Sequence, residues 1–306
     1  MEDIPTALIR YANEEYRKKM NQPNRRRQVR QIEAAPRSYE SFAQQPFYQK
    51  IDSDLLQRAP QVQRAVDFAT GTGAAIEHLL DLGKLKPGAM VYGIDIDSHS
   101  LSVAQCKFAD FQEESPTDVT VRFLLGSVED VPLPDSSQEL VTFLNSAHLT
   151  NLERSLAEAS RLLQAGGVLL LNSAYEASHA YPPGSERHWG LMVAGARKLA
   201  KERGHTDDIP NPVNLLTLTV DDYVRIAQNA GFSEINIEHH TVDMDLPAIL
   251  AIFGYEGFAR GALPGVDIDL AISCLQDAAE SYFQRMKARG LEAVQRTWMY
   301  LEARKT

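Results

Sequence analysis

Val66-Asp67-Phe68-Ala69-Thr70-Gly71-Thr72-Gly73 reads as a buried strand that ends in an acidic residue, followed by a tight glycine loop. A helix is expected next, over Ala74 to Leu82. Glycine belongs where backbone must turn sharply and approach a ligand with no Cβ in the way. About twenty residues beyond Gly73 a second apolar run, Met90-Val91-Tyr92-Gly93-Ile94, is closed by Asp95, the place where an acidic side chain can accept hydrogen bonds from a ribose. The pair of motifs points to a cofactor that contains a nucleoside.

Which cofactor follows from what is missing. A dinucleotide loop needs a third glycine so that the pyrophosphate can lie on the helix N-terminus, and Ile76 stands there. A phosphate loop needs Gly-Lys-Ser/Thr, and none follows Gly73. The Asp67 carboxylate beside the loop disfavours phosphates and suits a ligand with a positive amino group. S-adenosylmethionine has a ribose, an amino acid end and a sulfonium, and no phosphate.

Further motifs follow in order. They are Phe123-Leu124-Leu125-Gly126-Ser127-Val128-Glu129-Asp130-Val131-Pro132-Leu133-Pro134-Asp135, then Leu140-Val141-Thr142-Phe143-Leu144-Asn145-Ser146-Ala147-His148, then Arg161-Leu162-Leu163-Gln164-Ala165-Gly166-Gly167-Val168-Leu169-Leu170-Leu171. In this spacing the chain resembles the class I S-adenosylmethionine-dependent methyltransferases, nearest to the ubiquinone/menaquinone-type small-molecule branch. The likeness covers Ala65 to Asn172, with a weaker echo over Thr219 to Ile237 and in the last strand. It implies an α/β fold: a Rossmann-like, doubly wound, seven-stranded sheet whose last strand is antiparallel. It implies S-adenosyl-L-methionine as cofactor and S-adenosyl-L-homocysteine as product. Asp95 would hold the ribose, and Gly71, Gly73 and Thr70 would line the methionine end, with Asp67 supporting the loop. Ile96 would flank the adenine, Ser127, Val128 and Glu129 would border it, and the Asn145 backbone would face the amino acid end. Two positions depart from the family: Ala69 stands where glycine is usual and Ser127 where aspartate is usual, although a serine hydroxyl can still accept a hydrogen bond.

The chain has 306 residues, 44% hydrophobic and 24% charged, which is the profile of an ordinary soluble globular protein. No apolar run approaches the length of a bilayer span, and no secretory leader pattern opens the sequence. Two cysteines make no disulfide framework, so a cytoplasmic address is expected. The net charge of −10 disfavours nucleic acid, and the resemblance implies a small-molecule acceptor. Arg25, Arg26, Arg27 and Arg30 are a local exception, read as a solvated turn. A monomer or a homodimer is expected.

Residues 1–60 look helical and amphipathic and are expected to form an N-terminal lid on a methyltransferase domain over 61–306. From Ala65 to Asn172 strands and helices alternate, the pattern of a parallel sheet covered on both faces. Two stretches interrupt the domain, at about 173–218 and 245–290, and are expected to be helical lids that form the acceptor pocket. In the second, Ile272, Leu275, Ala279, Tyr282 and Met286 recur at helical spacing. Gln295 to Arg304 alternates as a strand.

Methyl transfer from a sulfonium is an in-line displacement, so the protein mainly positions the acceptor and excludes water. His148, just past the fourth strand, is the candidate catalytic residue, as a base or an orienting group, with helix capping or packing as the alternative. Tyr39, Tyr175, Glu176, His179, His188 and Trp189 are candidates for the substrate pocket, each with ordinary lid packing as its alternative. His239 and His240 are neighbours on a strand and point to opposite faces, so they do not share an ion, and no metal is expected. The Asn145-Ser146-Ala147-His148 turn lacks the Asn/Asp-Pro-Pro-aromatic pattern of amino methyltransferases that act on nucleobases or glutamine. Two other functions stay open: an RNA-modifying methyltransferase anchored by the arginine cluster, and a non-catalytic S-adenosylmethionine-binding accessory protein.

Overall fold

A computed structural model describes residues 39–114 and 118–306. The arginine cluster and most of the expected N-terminal lid lie outside the described residues. So does the side chain of Tyr39, whose backbone opens the first described helix, α1 (Tyr39–Ala43). Helix α2 (Pro46–Leu56) follows, with proline in its first turn, where the missing N–H costs nothing.

The elements that build the sheet then alternate. They are β1 (Val62–Phe68), α3 (Ala74–Asp81), β2 (Leu85–Asp95), α4 (Ser98–Glu114), β3 (Thr120–Leu125), β4 (Gln138–Leu144), α5 (Leu152–Leu162), β5 (Leu163–Ser173), α6 (Glu186–Glu202), α7 (Val220–Asn229), β6 (Phe232–Met244), α8 (Leu246–Gly254), α9 (Glu256–Ala262), α10 (Ile268–Lys287) and β7 (Val294–Lys305). The seven strands lie in the order β3-β2-β1-β4-β5-β7-β6. β7 runs antiparallel to both of its neighbours, and the pairs from β3 through β5 are parallel. The expected doubly wound sheet with an antiparallel last strand is the observed one. The chain moves outward from β1 in one direction through β2 and β3, then returns to pair β4 on the other side of β1. The β1–β4 boundary is therefore the switch point where ligands bind at the carboxyl ends of open α/β sheets.

Strand alternation sends successive side chains to opposite faces, and here both faces are covered. Leu169 and Leu171 of β5 and Met299, Leu301 and Ala303 of β7 join one apolar core with Leu156 of α5 and Tyr223 and Ile226 of α7. Val168 and Leu170, with Trp298 and Tyr300, join the other. That second core also takes Ile51 and Leu55 of α2, Ile76 and Leu79 of α3, and the buried residues of α6, α8 and α10. The helical additions thus share a core with the sheet.

The two insertions differ in detail from the sequence reading. The first is tied at its ends by a bridge between Glu176 and Leu218 and by Ala177 N–H donating to Leu218 O at 2.8 Å. Its helix, α6, starts at Glu186. The second is three helices. Asp245 caps α8 by accepting from Ala248 N–H, and Asp267 caps α10 by accepting from Asp269 and Leu270 N–H. Leu275, Ala279 and Tyr282 are buried on α10 as their spacing predicts, while Ile272 and Met286 sit at the rim. Arg203 at the end of α6 pairs with Asp277 of α10 at 2.6 Å and donates to Ser273.

Candidate functional site

The glycine loop is shaped by its backbone. Ala69, Gly71 and Gly73 all have positive φ, at 51°, 54° and 88°. Gly73 starts α3 in the left-handed region, and a Cβ there would lie 2.6 Å from the Phe108 ring, so only glycine fits. A Cβ at Gly71 would meet nothing within 4 Å, which leaves open space above the loop. Gly73 N–H donates to Thr70 O at 2.8 Å and closes the turn.

Asp95 is the hinge of the site. One carboxylate oxygen accepts from Gly71 N–H at 2.8 Å and the other from Asp97 N–H at 2.8 Å. The residue expected to bind a ribose therefore already fixes the glycine loop against the end of β2. Beside it Ile96 is 77% exposed, and Leu125, paired with Asp95 in the β2–β3 register, is 65% exposed. Two large apolar side chains facing outward at a strand end offer a flat apolar ligand a place to lie. Ser127 is exposed, and its hydroxyl accepts from Glu129 N–H at 3.1 Å. Val128 points into the core, so its backbone alone can border a ligand. Glu129 accepts from Asn151 N–H at 3.0 Å and pairs with Arg154 at 3.3 Å, so its carboxylate holds the start of α5.

Asp67 is buried and accepts from the Thr142 hydroxyl at 2.6 Å. Burial pushes its carboxyl up to about 7 in spite of that bond. The group supports the strand ends from inside.

Asn145 ends β4 with φ 57°, in the left-handed region that asparagine tolerates. Its amide bonds were not foreseen. Asn145 N–H donates to the Asn172 carbonyl Oδ1 at 2.7 Å, and the Asn145 Nδ2 donates to Asp52 Oδ1 at 2.8 Å. Asn172 Nδ2 donates to the same Asp52 oxygen at 2.8 Å, and Trp298 Nε1 donates to Asn145 Oδ1 at 2.9 Å. Asp52 on α2 is pushed up to about 6 by burial. Glu40 on α1 likewise reaches the loop: it accepts from the Thr72 hydroxyl and pairs with Lys107. No local motif marks Asp52 or Glu40. Their only sequence signal is a carboxylate on the apolar stretch of an amphipathic helix.

His148 lies in the 3₁₀ turn Ala147–Leu149 after β4. Its ring packs on Tyr175, with centroids 3.9 Å apart, and its buried Nδ1 has no partner among the described residues. Burial, and then the charge of Arg296, push it down to about 4, so it is a neutral imidazole at neutral pH. Tyr175 also lies under the Arg296 guanidinium, as do Tyr181 and Trp189. His148, Tyr175 and Trp189 thus converge around Arg296, a residue that the sequence reading did not single out.

The other pocket candidates go elsewhere. His188 pairs through Nδ1 with the Tyr282 hydroxyl in the seam between α6 and α10, which is packing between the helical additions. Glu176 is buried and accepts from the backbone N–H of Ser178, His179 and Val220 and from His179 Nδ1. His239 Nε2 lies 3.5 Å from the same carboxylate. Glu176, His179 and His239 each bring a possible ligand atom within 4.8 Å of the others. His239 and His240 do part company, and His240 stacks on Tyr300, but the partner that β6 gives His239 comes from the first insertion.

Residues 66–171 match a family profile described as a methyltransferase domain. The sheet order around that segment is the Rossmann-like, doubly wound arrangement with an antiparallel last strand. The chain is 33% identical over 147 residues to the ubiquinone/menaquinone biosynthesis C-methyltransferase of Methylobacterium nodulans, an overlap of 44% of this chain and 54% of that protein. The chain thus spans about half the length of that curated relative. In fold it is similar to a methyltransferase from an antibiotic biosynthesis pathway of Anabaena variabilis, with TM-score 0.54 and 16% identity over 82% of this chain and 96% of that one. It is similar also to the YcgJ protein of Bacillus subtilis, with TM-score 0.50 and 16% identity over 83% and 98%. At that identity the two structures bear on the fold alone. No helix among the described residues is long and apolar enough to cross a membrane.

Proposed function

We propose that the chain is an S-adenosylmethionine-dependent methyltransferase acting on oxygen or an activated carbon of a small, mostly apolar or aromatic metabolite. The observation that carries the reading is the Asp95 carboxylate, anchored by the Gly71 and Asp97 amides beside the outward-facing Ile96 and Leu125. A diol can hydrogen-bond the remaining carboxylate lone pairs, and a purine ring can cover the two apolar side chains. The open space over Gly71 suits the amino acid end. When bound, the cofactor supplies an activated methyl on sulfur. A quinone-like acceptor is suggested by the name of the curated relative and by the rings around Arg296. The helical additions at 173–218 and 245–290 would close the acceptor pocket as lids.

In this reading the protein supplies position and exclusion of water. A base is most effective with a pKa near the working pH, so a histidine held near 4 suits hydrogen-bond orientation better than proton storage. His148→Ala should lower turnover about 10–100-fold, roughly 1.4–2.7 kcal/mol of barrier, with cofactor affinity nearly unchanged. The pH profile should show no inflection near the ordinary histidine value. A loss beyond a thousandfold would return His148 to the role of base.

The cofactor assignment is tested by calorimetric titration with S-adenosylhomocysteine. Asp95→Ala should weaken binding roughly 10–100-fold, since a charged acceptor is worth about 1.5–3 kcal/mol. A wild-type chain that binds NAD and ignores S-adenosylhomocysteine would sink the reading.

A further inference from the structure

Arg296 is 7% exposed. Buried arginines are almost always paired with an acidic group. Among the described residues no carboxylate lies in ion-pair range of this one. The guanidinium makes one hydrogen bond among the described residues, from Nη2 to Ala174 O at 2.6 Å, and it carries five N–H donors. Three aromatic faces lie against it: Tyr181 at 4.0 Å, Tyr175 at 5.3 Å and Trp189 at 5.9 Å from ring centroid to Cζ. Such faces attract a cation without neutralising it.

The place of this charge in the fold is equally specific. β7 is antiparallel to β5, and Ser173 pairs Met299 at the end of the ladder. Arg296 therefore sits just beyond the carboxyl ends of the parallel strands, where ligands bind. Tyr175 links it to His148, whose buried Nδ1 has no partner among the described residues. Desolvation raises the strength of any charge pairing formed here.

We propose that Arg296 is the anchor for a planar oxyanion, a phenolate, enolate or aromatic carboxylate, borne by the small-molecule acceptor and sandwiched among Tyr175, Tyr181 and Trp189. The inference deepens the function proposed above and rests on it for the identity of the ligand as acceptor. The site takes the acceptor in its ionised form, and the proton released by a phenol or enol on binding goes to the solvent buffer. The fixed cation then does part of what a general base would do. This fits a neighbouring histidine that is neutral and weakly basic.

The test uses 4-nitrophenol, whose ionised form is visible by absorbance, and 4-nitroanisole, which has the same ring and no acidic proton. Each is titrated into the full chain with and without S-adenosylhomocysteine. Wild type should prefer 4-nitrophenol and lower its apparent pKa by about one to three units, as an opposite charge at contact does. Arg296→Gln should abolish the shift, and Arg296→Lys should keep part of it, with thermal unfolding showing that both variants are folded. Equal binding of the two probes, an unshifted ionisation, no binding of either probe, or an intact shift in a folded Arg296→Gln would each overturn the proposal. If both variants fail to fold, the two-probe comparison on wild type decides alone. Calorimetry with S-adenosylhomocysteine reports separately on the proposed function: a chain that binds the phenolate and ignores that compound keeps this site and loses the methyltransferase reading, and the reverse result does the opposite.

Discussion

Ala69 holds a left-handed backbone at φ 51°, a region that costs a side chain about 1–2 kcal/mol. The family resemblance has glycine there, and the structure gives the reason: the strand must turn abruptly before Thr70 N–H can donate to Ile94 O at 2.9 Å. Ala69→Gly should relieve the strain but add freedom to the unfolded chain. The expected net gain is about 0.5–1 kcal/mol, read as a higher denaturant midpoint with unchanged S-adenosylhomocysteine affinity. A lower midpoint would mean that the alanine methyl contributes packing that outweighs the strain. Asn145 occupies the same backbone region, with its side-chain bonds to Asp52 and Trp298 holding it there.

Among the elements, α7 shows how a local signal sets a boundary. Thr219 Oγ1 accepts from Asp222 N–H, and Asp222 Oδ2 accepts from Thr219 N–H at 3.1 Å, a capping box written in the sequence Thr219-Val220-Asp221-Asp222. Thr219→Ala should cost about 1 kcal/mol, measured by urea unfolding, with no change in ligand affinity. An equal loss of affinity would show that the helix start communicates with the site through the Glu176 carboxylate, which accepts from Val220 N–H. The second insertion is the contrasting case. Leu246-Pro247-Ala248-Ile249-Leu250-Ala251-Ile252-Phe253 is apolar all round, so it has no periodic stripe to announce a helix, and only its caps and burial against α10 define it.

At the scale of the molecule, Asp52 ties together segments far apart in the chain: α2, the end of β4 and the end of β5. Its carboxyl rises from 3.8 to about 6 on folding, so the native state holds the proton more tightly than the unfolded chain. The stability from that proton is fully present below about pH 3.8 and is lost as pH rises through 6. Both amides donate to one oxygen, which an asparagine could still present. Asp52→Asn should therefore gain on wild type between pH 4.5 and 8 by roughly 1–3 kcal/mol, followed by chemical denaturation at the two pH values. A constant difference across that range would mean that Asp52 is charged in the fold at every pH tested.

Several features were legible because their signals are local. Period-two alternation in β7, the glycine loop, the acidic end of β2 and the unbroken apolar run of β5 depend on neighbours in sequence, and each fixes a strand or turn by steric and burial rules that act over a few residues. The order of motifs from Val66 to Leu171 therefore determined the sheet and the place of Asp95. What the sequence could not determine depends on which distant segments meet. The Asp52–Asn145–Asn172 network, the aromatic cage of Arg296, the diversion of His188 to Tyr282 and the meeting of His239 with His179 and Glu176 all join residues from separate elements. Burial is the largest cause of the shifted proton affinities of Asp52, Asp67 and His148, and burial is a property of packing, which exists only once the chain has folded.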